Sequence, residues 1–441
     1  MEKWIKTDTA AVMFTALQTK KHSRIIRESV ELKDIEIDEA VLRQAVEAVL
    51  PKFPSFCRKL RKGFFWGVLE YTDRPPLILP DTEVSAKPQW ISRAEGGPEF
   101  RVLFSKHGIA VEASHVLCDG HGLLQLLKAI TASYLAYCGC DMTGCEALTD
   151  FDETAEENAY VRYYTGEKLP TVKREPSYCF AETPEPGYLE FVTGLMSVDE
   201  VKEKSRKRGL TVTEYFCAAM ILAVIRSAKK PIDDAVTIAV PVNMRKFFPS
   251  ETLRNFSTDF PVVFHPDGRS DFTLDEVVQS VKGQLKSMIT KENIQAFLNS
   301  SYSMTLNPAL RAIPGFIKWP LLRCVQKRQH RKEMTVMISN LGNIVMPESL
   351  SDKISRFDFI GGDPKAYGLT KFCSAASING LLTFCFSSNN RDRALSDAFF
   401  AVLTQDGVKV TRQVSGGEIK DKPKYRKQGF TPVPWKAFFN I

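Results

Sequence analysis

Apolar and polar positions along this chain switch repeatedly between a period of two and a period near three and a half, and each switch marks an element. Phe100 to Phe104 and Gly108 to Ser114 predict two strands around a Lys106-His107 turn, while Gly122 to Tyr137 has the apolar spacing of a helix. Earlier, Asp38 precedes a helical pattern through Val41, Leu42, Val46 and Leu50 that stops at Pro51, and Phe64 to Tyr71 predicts a strand. Beyond residue 187, Tyr188 to Met196 alternates as a strand. Ser197-Val-Asp-Glu200 is a capping box that opens a helix ending at Gly209, and Thr211-Val-Thr-Glu214 opens a strongly apolar helix through Ile225. A strand from Ala235 to Val242 follows, then a third box, Thr273-Leu-Asp-Glu276, before a helix to about Met288. Strands Thr335 to Ser339, Phe372 to Ile378 and Leu381 to Ser387 complete the pattern, with Asn379-Gly380 set for a type I′ hairpin between the last two.

This alternation makes the class α/β, in an α+β arrangement, without solenoid or coiled-coil repeats. With 441 residues the chain exceeds what one core serves, so two domains are expected. From Thr143 to Pro186 the chain turns acidic and then Pro-rich, and lacks a sustained apolar period. The expected division is an N-terminal domain over 1–165, a crossover over 166–187 and a C-terminal domain over 188–441.

A formal charge of +7, with basic residues mostly interspersed among acidic ones, gives no global reason to expect nucleic acid. The N-terminus has no apolar run after its charges, and the longest apolar stretch, Cys217 to Ile225, is too short to cross a bilayer, so a cytoplasmic protein is expected. Ten cysteines stand singly, apart from Cys138-Gly-Cys140 and the nearby Cys145, which suits reduced thiols; no metal-ligand spacing is completed.

The chemistry concentrates in His115-Val-Leu-Cys-Asp119-Gly120, where one base, one carboxylate and one glycine fall between a predicted strand and a predicted helix. Side chains at such a junction are held by rigid elements yet face a cleft, and Gly120 permits close backbone approach. The plain alternative is a His and an Asp that merely cap the two elements. Cys118 has a rival reading as a nucleophile, with filler thiol the commoner role, and His121 either caps or faces solvent. Three further strand-end segments carry polar residues: Pro241-Val-Asn243-Met-Arg245, Ser339-Asn340-Leu-Gly342 and Asp358-Phe-Ile-Gly361-Gly362. Each alone reads as turn chemistry.

In combination and in this order, the His115 hexapeptide, the Arg245 segment and the Ser339 segment resemble the coenzyme A-dependent acyltransferase superfamily, which includes chloramphenicol acetyltransferase, nonribosomal condensation domains and alcohol acetyltransferases. The likeness spans most of the chain and is nearest to the alcohol O-acetyltransferase branch. Several members carry two adjacent histidines, the second being the base; here Ser114 stands in the first position and His115 matches the second. The plant branch has Asp-Phe-Gly-Trp-Gly, of which Asp358-Phe-Ile-Gly-Gly matches only the opening. The resemblance implies two chloramphenicol-acetyltransferase-like sandwich domains with an active-site tunnel between them, acyl-coenzyme A as co-substrate with no bound cofactor or metal, a small-molecule alcohol as acceptor, and a monomer.

Acyl transfer to an alcohol needs a base near neutral pH, and His115 is the candidate. Its other ring nitrogen is expected to donate to a backbone carbonyl. The family pattern implies that Asp119 pairs with an arginine to hold the loop, and Arg245 is the candidate partner. Ser339, Asn340 and the backbone N–H near Gly120 are the candidate donors to the developing oxyanion. The alternatives are a condensation-type enzyme with a carrier-protein donor or an amine acceptor, acylation of a lipid or glycolipid alcohol at a membrane, and a silent acyl-binding scaffold.

One basic cluster, Lys318, Arg323, Lys327, Arg328, His330, Arg331 and Lys332, is interleaved with Phe316, Trp319, Leu321 and Leu322. It reads as a solvated helix face, as a contact for coenzyme A phosphates, or as an attachment to an anionic membrane. The tail from Gly416 to Lys427 reads as loosely ordered, with Pro432 to Phe439 able to dock back.

Overall fold

Strands buried along nearly their whole length need cover on both faces, and that requirement organises this molecule. The computed structural model describes residues 2–17, 24–81, 97–364 and 369–418. Its strands are β1 (Trp4–Lys6), β2 (Ile25–Leu32), β3 (Arg58–Lys62), β4 (Gly67–Tyr71), β5 (Leu77–Pro80), β6 (Phe100–Phe104), β7 (Gly108–Ser114), β8 (Tyr188–Ser197), β9 (Val236–Asn243), β10 (Ser257–Phe264), β11 (Val336–Asn343), β12 (Ile354–Ile360), β13 (Lys371–Ile378), β14 (Leu381–Ser388) and β15 (Thr411–Glu418). The first lobe holds a five-stranded sheet in the order β12-β2-β7-β6-β5 and a small β1-β4-β3 sheet; the second holds a seven-stranded sheet, β10-β9-β11-β13-β14-β8-β15.

In the second lobe β13 is buried throughout and β14 at all but one position. Helices Val212–Ser227 and Ala394–Gln405 cover one face, where Phe216 and Phe399 meet Phe384 at ring-centroid distances of 5.0 and 4.4 Å. The other face lies against β12: Ser374 Oγ donates to the Phe359 carbonyl at 2.5 Å and Thr383 Oγ1 to that of Phe357 at 3.0 Å. Ile378 pairs with Leu381 across a two-residue turn in which Asn379 and Gly380 both have positive φ, 50° and 81°, the conformation a type I′ hairpin needs. In the first lobe helices Glu39–Val49 and Gly120–Tyr137 pack on the five-stranded sheet around Leu42, Val46, Leu127 and Ile130.

The expected division of the chain needs correction. Strand β12, far inside the stretch assigned to the C-terminal domain, pairs antiparallel with β2 of the first lobe from Ile354↔Leu32 to Ile360↔Arg27. Conversely, Ala159 and Tyr160 belong to the core of the second lobe. An edge strand left unpaired would expose its backbone groups, and β12 closes that edge from across the molecule. The crossover also touches the body, where Ser177 bridges to Ala235 and Arg174 bonds Asp259 at 2.7 Å.

Local expectations shift in three other places. The segment 64–71 is a strand only from Gly67, because residues 63–66 form the turn of the β3–β4 hairpin. The helix after Thr273 stops at Val281 and resumes at Gln284, since Gly283 lies between at φ 81°. Gly416–Glu418 are the last residues of β15, paired to β8, whereas 419–441, including the proposed docking segment, lie outside the described residues.

Candidate functional site

His115 leaves the end of β7, and its backbone N–H donates to the Arg24 carbonyl at 2.7 Å, so the residue is pinned to the start of β2. Its ring lies 4.1 Å from that of Phe14, on helix Thr9–Leu17, and is only partly exposed. Nδ1 faces Asn255 Oδ1 at 2.9 Å. Asn255 Nδ2 donates to Asp8 Oδ2 at 3.1 Å and to the His115 backbone carbonyl at 3.0 Å, so its oxygen is the atom turned toward the ring. An amide oxygen only accepts; Nδ1 therefore carries the hydrogen and Nε2 presents its lone pair. Burial first, and then the charge of Arg24, pull the imidazole from 6.5 down to about 4, which keeps it neutral at pH 7 at the expense of basicity.

Asn255 is the partner that the sequence did not disclose. The expected orienting group was a backbone carbonyl; the structure supplies a side-chain amide 140 residues away, from the turn before β10 in the other lobe. Asp8 in turn caps helix Thr9–Leu17 through the Ala11 N–H at 2.7 Å and lies 3.6 Å from Arg254. No motif spacing links residues 8, 115 and 255, so only the fold could assemble them.

Asp119 is the N-cap of helix Gly120–Tyr137, and its Oδ1 accepts from the Gly122 N–H at 3.1 Å. Its Oδ2 accepts from Arg245 Nη1 at 2.8 Å and from the Phe256 N–H at 2.9 Å. Arg245 also donates to the carbonyl of Thr252 through Nε at 3.0 Å and Nη2 at 2.8 Å, and to Asn243 Oδ1 through Nη1 at 3.2 Å. Asp119 thus ties the two lobes together, and the Arg245 charge keeps its carboxyl below the ordinary value despite burial. Gly122 is required at the same seam, because a Cβ there would come within 2.0 Å of the Leu253 carbonyl oxygen.

Gly120 also meets a packing requirement of the protein itself. A Cβ on it would stand 3.1 Å from Leu341 Cδ2 and 3.3 Å from Glu28 Oε1. Ser339 and Asn340 lie on β11, and Leu341 of their segment reaches the motif at Gly120. Asn340 Nδ2 donates one of its two hydrogens to Thr213 Oγ1 at 3.1 Å, and its Oδ1 accepts from the Gly342 N–H at 2.8 Å. That role braces the bulge in β11. Ser339 is half-buried at the same strand end.

Other candidates fall outside the chemistry. Cys118 is buried among apolar side chains, and burial holds its thiol well above the ordinary range, so it is a filler. Asp358 bonds Arg356 at 2.8 Å on β12. Lys318 is not on a solvated helix face: it is buried, donates from Nζ to the Phe65 carbonyl at 2.9 Å, and sits 3.7 Å above the Trp66 ring. Among the described residues no group of three or more His, Cys, Asp or Glu is placed to hold a metal ion.

No protein-family model matches the sequence, and no curated protein is similar to it. The fold is shared with solved structures. Fusarium graminearum TRI101, complexed with coenzyme A and T-2 mycotoxin, superposes with a TM-score of 0.61 at 10% identity over 92% of this chain and 99% of that one. The starter condensation domain of rhizomide synthetase RzmA, a mutant in complex with C8-CoA and Leu-SNAC, gives 0.58 at 11% over 92% and 94%. The epimerization domain from the third module of tyrocidine synthetase B gives 0.55 at 14% over 92% and 96%. The chain shares its overall fold with these acetyltransferase, condensation and epimerization structures.

Proposed function

We propose that this protein is an acyltransferase that moves an acyl group, acetyl in the first instance, from acyl-coenzyme A directly to an alcohol, with His115 as general base. The observation that carries the reading is the Asn255 contact, which leaves Nε2 of a neutral imidazole as the acceptor at the seam of the lobes. The acceptor hydroxyl gives its proton to Nε2 as its oxygen bonds the thioester carbonyl carbon. Collapse of the tetrahedral intermediate then breaks the C–S bond, and the imidazolium returns the proton to the leaving thiolate. Base assistance of this kind contributes about a hundred- to ten-thousand-fold. Asp119 and Arg245 hold the lobes in register. The candidate oxyanion donors are the Ser339 hydroxyl, the second Nδ2 hydrogen of Asn340, whose first is bound to Thr213, and the backbone N–H groups at Gly120.

The fold shared with condensation domains supports a second reading, in which the donor rides on a carrier protein or the acceptor is an amine. Purified protein given acetyl-coenzyme A and a panel of alcohols and amines decides between them. Free thiol should appear with alcohols and disappear in His115→Ala, whose melting temperature should match wild type. Equal release by both proteins overturns the mechanism, and donor binding without turnover by wild type makes the protein a scaffold.

A further inference from the structure

Helix Gly315–Glu333 carries an apolar outer face over residues 316–325, within a basic cluster of which Lys318 turns inward. Its buried side carries Lys318, Trp319 and Leu322; Trp319 and Leu322 pack with Val12 and Ala16 of helix Thr9–Leu17. Over residues 316–325 its outer side is apolar: Phe316 is 69% exposed, Ile317 51%, Leu321 49% and Val325 52%, with Pro320 and Cys324 exposed between them. At a spacing of three to four residues these side chains form one stripe. The β3–β4 turn extends it: Phe64 is 45% exposed and lies 6.2 Å from Phe316 by ring centroids. The Phe64 carbonyl accepts from the Gly315 N–H at 2.5 Å, so turn and helix move as one body.

Charge says what such a stripe would meet. From Pro308 to Lys332 the chain has seven Lys or Arg and no Asp or Glu. Among the described cations of 308–332, Arg311 and Arg328 are exposed, beyond opposite ends of the stripe. An apolar ridge framed by cations is matched by a bilayer with anionic headgroups, which takes apolar side chains to the acyl boundary and cations at the phosphates. Within the stretch of the stripe Lys318 points inward onto Trp66, so its charge does not lie on the ridge.

We infer that the Phe64 turn and the outer face of helix Gly315–Glu333 dock the protein on an anionic phospholipid surface. The path from that surface to the chemistry is short: the docking helix packs on helix Thr9–Leu17, whose Phe14 stacks on His115. Resting on the acyl transfer proposed above, this placement assigns the acceptor to alcohols that partition into the membrane.

Flotation with vesicles of phosphatidylcholine alone, and of phosphatidylcholine mixed with phosphatidylserine, tests the surface. Wild type should bind the mixed vesicles, less at high salt, and only weakly the neutral ones. Ile317→Glu with Leu321→Glu should lower binding at least about tenfold, and Ile317→Ser with Leu321→Ser should act in the same direction with a smaller risk to folding. Arg311→Glu with Arg328→Glu should abolish the preference for phosphatidylserine. All three variants should release thiol from acetyl-coenzyme A with a water-soluble alcohol as wild type does, which separates failure of this surface from failure of the acyl transfer. Absence of wild-type binding to either vesicle overturns the inference, as does equal binding by the apolar-face variants. A concentration-dependent dimer that these variants dissociate overturns it too, by assigning the stripe to a second copy of the chain.

Discussion

Asn255→Ala tests the catalytic reading most directly, because the amide touches only the face of the imidazole that does no chemistry. The substitution removes the acceptor of the Nδ1 hydrogen at 2.9 Å and the donor to the His115 carbonyl at 3.0 Å. A buried donor left without a partner costs about 1–3 kcal/mol. That energy now favours the other tautomer or a rotated ring, and at about 1.4 kcal/mol per tenfold it corresponds to a loss of roughly 5- to 150-fold in kcat. The acceptor KM should change far less, since Asn255 orients the base. Steady-state thiol release gives the rates, and 15N chemical shifts of labelled histidine report the tautomer. Wild type should show its ring hydrogen on Nδ1, and Asn255→Ala a mixture. Asn255→Asp should fail as well, because a carboxylate oxygen would replace the Nδ2 that faces Asp8 Oδ2 at 3.1 Å. An Asn255→Ala enzyme keeping more than half of the wild-type rate, or a wild-type ring protonated on Nε2, refutes the reasoning.

His115 sits near 4 rather than 6.5 because of burial and Arg24, so the acid limb of kcat/KM for its protonation should lie well below pH 6.5. Arg24→Met removes the second of these causes and should move that limb upward; an unmoved limb assigns it to another group. Since the folded value is lowered, the unfolded chain binds more protons between pH 6.5 and about 4, and this residue's contribution makes the protein lose stability as pH falls through that window. For Asp119→Asn, stranding the buried Arg245 charge should cost about 3–5 kcal/mol in urea unfolding, toward the lower end because the guanidinium keeps the Thr252 carbonyl and Asn243. Asp119→Asn combined with Arg245→Met should cost less than the two single changes added together, and simple additivity would show that the pair does not couple the lobes. Gly122→Ala should disrupt the seam more than Gly120→Ala, since its Cβ meets a carbonyl oxygen at 2.0 Å rather than a leucine methyl at 3.1 Å; equal melting temperatures would argue against the packing described.

Local order was legible in the sequence wherever the cause is local. The capping boxes at Thr211 and Thr273 close as side-chain and backbone pairs three residues apart, and Asn379-Gly380 turns a hairpin because both residues tolerate positive φ. The strand–motif–helix setting of His115 follows from apolar period alone, and Asp119 at a helix start is a cap by its chemistry. Tertiary structure decided what depends on distant segments meeting. Strand β12 closes the β2 edge across more than 300 residues of chain, Asn255 reaches His115 from the other lobe, and Leu341 fills the space over Gly120. The helix at 315–333 shows the division most plainly. Its composition was visible, but that Lys318 turns inward and Phe316 outward was set by packing on residues 12 and 16 and on the Phe64 turn, contacts that no pattern along the chain encodes.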